Sequence, residues 1–188
     1  MSRTKLAVAL ALCVMWAAPA RAQGFIAPYI GFPYGGDVSS FCASLTNCEE
    51  RRMNWGVEIG SARGAIGFAE DIGYAKNFFG DVPGSDNSVL TLMTNLMVVL
   101  PAGPIRPYGL FGFGLVHPHV SFGTSAFDLS KNAIGYDFGG GVNIMFTHGF
   151  GIRGDIRDIR TFQDLTLGIF DSQKLNFWRG SAGLVFQF

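Results

Sequence analysis

The last fifteen residues, Lys174–Phe188, decide the fold, and they read KLNFWRGSAGLVFQF. Every second residue from Trp178 to the terminus is apolar or lacks a side chain. The residues between them are mixed, with Arg179 and Ser181 in the middle of the stretch. Because alternate side chains of a strand point to opposite faces of the sheet, the stretch is predicted to be a two-faced strand that ends on an aromatic residue.

This closing strand resembles the assembly signal of bacterial outer-membrane β-barrels, in which an apolar alternation ends on a terminal Phe. The resemblance implies that the strand closes a barrel against the first strand. It also implies that the barrel-insertion machinery recognises Phe188, Phe186 and Leu184. The rest of the chain must then supply the other strands.

The amino terminus has the features of a secretory signal peptide. Two basic residues precede the apolar run 6–18, and Ala20-Arg21-Ala22 follows it as an A-x-A cleavage site. The run is too short for a membrane anchor, which needs roughly 20 apolar residues. We therefore predict a signal peptide at residues 1–22 and a mature outer-membrane barrel domain at residues 23–188.

The composition of the mature chain excludes several functional classes. Removal of residues 1–22 takes away three of the 14 basic residues, which leaves 11 against 14 acidic residues and a net charge of −3. No basic patch stands out, so nucleic acid is not an expected partner. The chain is 48% hydrophobic and rich in Gly and Phe, but its mature part has no apolar run of about 18 residues that could form a spanning helix. These properties fit a transmembrane barrel surrounded by outer-membrane lipid.

Eight segments have the alternation of a tilted transmembrane strand, which needs roughly 9–11 residues. Pro28 and Pro33 weaken the first because proline cannot donate to a sheet ladder. Glu70 falls on the apolar face of the third, which a bulge or a position above the bilayer would explain. The predicted fold class is all-β, an eight-stranded antiparallel up-and-down transmembrane barrel. Its predicted strands are 24–34, 53–63, 65–79, 89–100, 106–116, 133–146, 150–161 and 174–188.

The connections between the predicted strands alternate in length. Short periplasmic turns and longer outer loops are typical of outer-membrane barrels. An even number of strands also places both termini in the periplasm. The long connections are 36–52, 80–88, 117–132 and 162–173, and the short ones are 64, 101–105 and 147–149.

The character of the two faces distinguishes a membrane barrel from a soluble, lipocalin-like barrel that binds a small ligand. In the soluble barrel the polar face points outward, and in the membrane barrel it lines the lumen. Here the polar face is rich in glycine with few charges, as a crowded concave interior requires, and the apolar face is rich in Phe, Leu and Ile. The clearest polar face is that of Gly135, Asp137, Gly139 and Gly141. The membrane barrel is favoured.

Three segments, 105–116, 150–162 and the closing strand, are similar to the OmpA-like and opacity-protein-like group of small eight-stranded outer-membrane barrels. The resemblance implies this fold and the outer membrane of a Gram-negative-type bacterium. It implies a function only loosely, because the group includes anchors and adhesins.

Seven charged residues are predicted to face the lumen. The interior of an eight-stranded barrel is just wide enough for side chains to fill, and buried charges must be paired. We predict a structural salt-bridge plug, with a path for small ions as the alternative. The residues are Glu58, Asp71, Asp137, Arg153, Asp155, Arg157 and Arg179.

Cys42 and Cys48 lie in the first long connection. Export permits a disulfide between them, and closing this short loop would stiffen it. A metal site is the poorer alternative, because two cysteines without a nearby histidine make a weak ligand set. The disulfide is the prediction, and no metal or cofactor is expected.

The segment 117–121, His-Pro-His-Val-Ser, lies where the fifth strand meets the third outer connection. His119 and Ser121 share a strand face and are similar to the catalytic pair of outer-membrane lipid A deacylases. Those enzymes also need an acid to orient the histidine, which in that family is a glutamate further along the chain. No glutamate follows Glu70 here, and Ser121 is followed by Phe122 and not by Asn. A lipid-modifying enzyme is therefore the second hypothesis, and no catalytic residue is predicted.

The function expected from the sequence is structural or interactive. The four outer connections are expected to contact an extracellular partner that the sequence does not identify. A monomer is expected.

Overall fold

A computed structural model of the protein describes residues 23–36, 53–78, 85–122, 128–130, 132–165 and 173–188. These residues contain nine strands and no helix that is long and apolar enough to cross a membrane. The strands are β1 (Gln23–Tyr34), β2 (Met53–Arg63), β3 (Ile66–Lys76), β4 (Ser85–Val99), β5 (Ile105–Phe122), β6 (Asp128–Ser130), β7 (Ala133–Met145), β8 (Phe150–Leu165) and β9 (Gln173–Gln187).

Eight of the strands form a closed antiparallel barrel, which confirms the predicted fold class. Neighbours along the chain pair from β1 to β5, β5 then pairs with β7, and β7, β8 and β9 follow in order. Pairing of β9 with β1 closes the ring. At this seam the backbone of Phe188 exchanges two hydrogen bonds with that of Gly24, at 2.9 and 3.0 Å. The last residue of the chain therefore completes the closure.

The predicted strand bounds hold within one residue at the short turns, but at the opposite end those of four strands differ, namely β3, β4, β5 and β8. β2 covers the predicted residues, and β1 runs through both of its prolines. β4 and β5, however, extend into segments predicted as loops, and their ladder continues to the pair Ser85 and Phe122. The short strand β6, which was not predicted, pairs with the end of β5. Residues 85–88 are polar and residues 117–122 are mixed, so neither segment shows the apolar alternation from which the strand bounds were predicted.

The outer face of the barrel is apolar, as the membrane interpretation requires. Ile30, Phe32, Trp55, Phe113 and Ile156 are each exposed over more than half of their area. The polar alternation points inward, which is opposite to its direction in a soluble barrel.

Glu70 lies on this outer face, between Phe68 and Ile72 on β3. The ladder between β2 and β3 is continuous from Met53–Lys76 to Arg63–Ile66, so no bulge displaces Glu70. Its position is central in the strand and not above the apolar belt. Both sequence-based explanations for Glu70 are therefore wrong.

The interior has three layers. An apolar cluster lies near the short turns, a second lies near the long connections, and the charged residues lie between them. The closing strand shows the same order, with Val185 and Phe177 in the two clusters and Arg179 between them. The lower cluster contains Phe25, Ala27, Ala69, Met97, Val99, Tyr108, Leu110, Met145 and Val185. The upper cluster contains Ala75, Phe78, Val89, Met93, Val116, Ala133, Ile159, Leu175 and Phe177.

Candidate functional site

The structure places the seven charged residues singled out in the sequence inside the barrel, and none is more than 6% exposed. Each occupies an inward position of its strand. β2 contributes Glu58, β3 Asp71, β7 Asp137, β8 Arg153, Asp155 and Arg157, and β9 Arg179. We call this set the charged layer.

Neighbouring strands bring like charges directly opposite one another in this layer. Glu58 is the ladder partner of Asp71, and Arg157 is the partner of Arg179. Like charges in such positions destabilise a sheet. The arginines of β8 and β9 instead pair with the two acids across the lumen, because their side chains and those of β2 and β3 all point inward.

Glu58 is held by two arginines of β8. Arg153 Nη1 and Nη2 donate to its two carboxylate oxygens at 2.6 and 3.0 Å, and Arg157 Nη2 also donates to it. Asp155 lies between these arginines on the strand and accepts from the Nε of each at 3.2 Å. The Tyr108 hydroxyl completes this half of the layer with a hydrogen bond of 2.9 Å to Asp155.

Asp71 is the centre of the other half. Arg179 Nη1 and Nη2 donate to its two oxygens at 3.0 and 2.9 Å, in the bidentate geometry that makes arginine–carboxylate pairs strong. The Tyr29 hydroxyl donates to Asp71 at 3.2 Å and accepts from Arg179 at 2.8 Å. The guanidinium of Arg179 also lies 4.8 Å from the centre of the Tyr29 ring.

Arg157 joins the two halves. Its Nη1 lies 3.4 Å from Asp71 and 3.7 Å from Asp137, while its other nitrogens contact Glu58 and Asp155. Asp137 has a second partner when the Asn95 amide is oriented with its nitrogen towards it, at 2.9 Å from Oδ1. All four acids of the layer therefore contact this one guanidinium.

Glycine makes room for the layer at two positions. A Cβ on Gly73 would lie 2.8 Å from the Tyr29 hydroxyl and 2.9 Å from Arg179 Nη1. A Cβ on Gly112 would lie 2.6 Å from Asp137 Oδ1. A glycine within a strand often marks a close approach of this kind, so these two glycines are part of the site.

Four polar members of the site were not singled out in the sequence. The sequence contained the information needed to predict them. Each lies at an inward-facing position of its strand, like the charged residues, and each carries a hydrogen-bonding group. Ser181, for example, donates to Asp155 at 2.8 Å. The four residues are Tyr29, Asn95, Tyr108 and Ser181.

Residues 117–121, the segment considered as a catalytic site, lie on β5 beyond its last pair with β7, Val116 and Ala133. His117 Nδ1 is 2.6 Å from Asn132 Oδ1. The backbones of His119 and Ser121 pair with β6. In the described part of the chain, no three His, Cys, Asp or Glu residues are grouped as metal ligands. Cys42 and Cys48 lie outside the described residues.

A family model for the outer membrane protein beta-barrel domain matches residues 6–188. The chain belongs to this family and is an outer-membrane β-barrel protein. A search of curated proteins found no match.

Solved structures of small outer-membrane barrels share the fold at low sequence identity, which confirms the predicted resemblance. Neisserial surface protein A is 18% identical, with a TM-score of 0.61, over 89% of this chain and 97% of that one. Ail of Yersinia pestis is 12% identical, with a TM-score of 0.57, over 89% and 99%. OprG of Pseudomonas aeruginosa is 11% identical, with a TM-score of 0.57, over 89% and 96%.

Proposed function

We propose that the protein is a closed, non-catalytic barrel that presents four outer connections at the cell surface to an extracellular partner. In this proposal residues 1–22 are a cleaved signal peptide, and a disulfide between Cys42 and Cys48 stiffens the first connection. The charged layer is a structural plug. The observation that carries the proposal is the layer of four acids and three arginines whose side chains pair across the lumen.

The charged layer favours the interpretation as a structural scaffold over the interpretation as an ion channel. Its arginines make bidentate contacts to buried carboxylates, and breaking such a pair costs about 3–5 kcal/mol. Apolar clusters lie on both sides of the layer. A cavity of about 380 Å³ opens at the short-turn mouth, between residues such as Met97 and Arg106, and none of the seven charged residues lines it. The cavity therefore lies below the layer.

The opposite end offers a platform for interaction. The backbones of β4, β5 and β6 continue above Val116 and Ala133, the last pair that joins β5 to β7. This extension lies at the end of the barrel opposite to the short turns. Ail, the attachment invasion locus protein of Yersinia pestis, shares this fold, and its structure is a complex with the heparin analogue sucrose octasulfate.

The plug makes a prediction about conductance. Wild-type protein in planar lipid bilayers is expected to give little or no current, because the paired side chains occupy the path. Single-channel recording measures this, and an open porin inserted into the same bilayer is the positive control. Large, stable, open channels from the wild type would overturn the plug.

The outer connections make a second prediction. Replacing residues 123–127 by a short Gly-Ser turn is expected to reduce the recovery of bound partners in a pull-down from the cell surface. The same change in the short turn 101–104 is the matched control, and it should leave recovery unchanged. Both variants should keep the heat-dependent gel migration of a folded barrel.

Equal recovery from both variants, and from variants shortened in each other outer connection, would contradict the surface role. Chemically altered lipid A in cells that co-express the protein would contradict the absence of catalysis.

A further inference from the structure

Two acidic side chains of the described barrel point to the lipid side, and their surroundings differ. Asp158 is 0% exposed, although its position on β8 faces outward. Arg160 donates to both of its oxygens at 2.6–3.2 Å, and the Arg160 guanidinium lies 5.8 Å from the centre of the Phe138 ring. Phe138 and Trp178 are the ladder partners of Asp158. This acid is neutralised and covered within its own barrel.

Glu70 has no such arrangement. Within the described part of the chain no cation pairs with its carboxyl, and its one hydrogen bond comes from the Thr94 hydroxyl at 2.8 Å. Thr94 is the ladder partner of Glu70 and also faces outward. Along β3, Phe68 lies below Glu70 and Ile72 above it, and they are 50% and 42% exposed. The polar pair therefore lies in the middle of the apolar belt.

Lipid chains cannot satisfy this pair. A polar group that is removed from water without a hydrogen-bond partner costs free energy, and an ionised one costs more. Charged residues on the lipid face of a barrel destabilise it most at the bilayer midplane. An ionisable residue inside the membrane is for this reason a marker of a functional site. The molecule that covers Glu70 should bring hydrogen-bonding groups to the same depth.

We propose that the face of β3 and β4 around Glu70 and Thr94 is the contact surface between two copies of this chain in the outer membrane, so that a dimer replaces the monomer expected from the sequence. The Thr94 hydroxyl already donates its hydrogen to Glu70, so its oxygen is left as an acceptor, and a neutral Glu70 carboxyl still carries a donor and an acceptor. The same patch can therefore pair with itself about a two-fold axis, which is the arrangement that a symmetric dimer requires.

The second copy is the occupant that this surface fits, because it presents the matching groups at the matching depth. The polar pair is small and is enclosed by apolar side chains that would pack against their equivalents. The outward Asp158–Arg160 pair is satisfied internally and needs no partner. The enclosing residues are Ile59, Phe68, Ile72, Leu92, Leu96 and Phe113.

The test measures association of the full mature chain in phospholipid vesicles by energy transfer between donor- and acceptor-labelled protein at a series of protein-to-lipid ratios. Wild type is expected to dimerise. Glu70→Leu and Thr94→Val should each weaken the dimer roughly tenfold, the scale of a hydrogen bond between membrane segments. Glu70→Gln, which keeps a donor and an acceptor, should associate like the wild type.

Ile152→Leu, on the lipid face of β8, is the matched control and should leave association unchanged. Heat-dependent gel migration of each variant verifies that the barrel is folded. Wild type that stays monomeric at every ratio, or Glu70→Leu that associates as tightly as the wild type, would overturn the proposal. The conductance and loop experiments do not depend on this surface, so their results remain separate.

Discussion

Replacing Arg157 by Met is expected to lower the free energy of unfolding by about 3–5 kcal/mol, the scale of removing one partner from a buried ion pair. Arg157 contacts all four acids of the charged layer and is 1% exposed. The variant leaves those acids with two arginines, while Glu58 and Asp71 remain opposite each other on adjacent strands. Urea unfolding in lipid vesicles, followed by tryptophan fluorescence, measures the loss.

Arg106→Met is the matched control. Arg106 lies at the short-turn mouth, where it donates to the Gly103 carbonyl at 3.1 Å and to Gln187 at 3.1 Å. It has no contact with the acids of the charged layer in the described structure. The loss of these two hydrogen bonds, one exposed and one part-buried, should cost about 1–2 kcal/mol in total, at the lower end of the range for two such bonds. An Arg157→Met barrel as stable as the Arg106→Met barrel would show that the layer does not depend on its central guanidinium.

Deleting Phe188 is expected to reduce the amount of protein in the outer membrane sharply, while the same variant refolded from urea into detergent still forms a compact barrel. The structure limits the direct loss of stability. Phe188 is 77% exposed, so its ring contributes only part of the roughly 1.5–3 kcal/mol of a fully buried side chain. Its two backbone hydrogen bonds to Gly24 add about 0.5–1.5 kcal/mol each. A large effect in cells would therefore reflect recognition by the insertion machinery.

Phe188→Ala separates the ring from the backbone, because it keeps both hydrogen bonds to Gly24. It should reduce outer-membrane levels nearly as much as the deletion does, and Phe188→Tyr should restore them. Levels are measured by quantitative immunoblotting of membrane fractions, with heat-dependent migration of the refolded variants as the folding check. Normal levels of the deletion variant would remove the assembly-signal assignment.

Alternation along the chain was enough to predict the barrel and the inward position of the charged residues. A strand has a period of two, so the parity that puts Phe186 towards lipid also puts Arg179 and Val185 inside. These are local properties, and the sequence displays them directly. The strand bounds near the short turns were predictable for the same reason, because apolar residues reach the turns there.

Only the tertiary structure decided which charges meet and which residue lacks a partner. Arg157 and Glu58 are 99 positions apart, and no local pattern pairs them; barrel closure and strand stagger bring them together. The continuous ladder of β2 and β3 places Glu70 in the middle of the apolar outer face of the barrel. The ladder of β4, β5 and β6 beyond the predicted strand ends is formed by backbone hydrogen bonds. The side-chain pattern of those segments does not indicate them. Parity is a property of neighbours along the chain, whereas register and closure are properties of strands far apart in sequence.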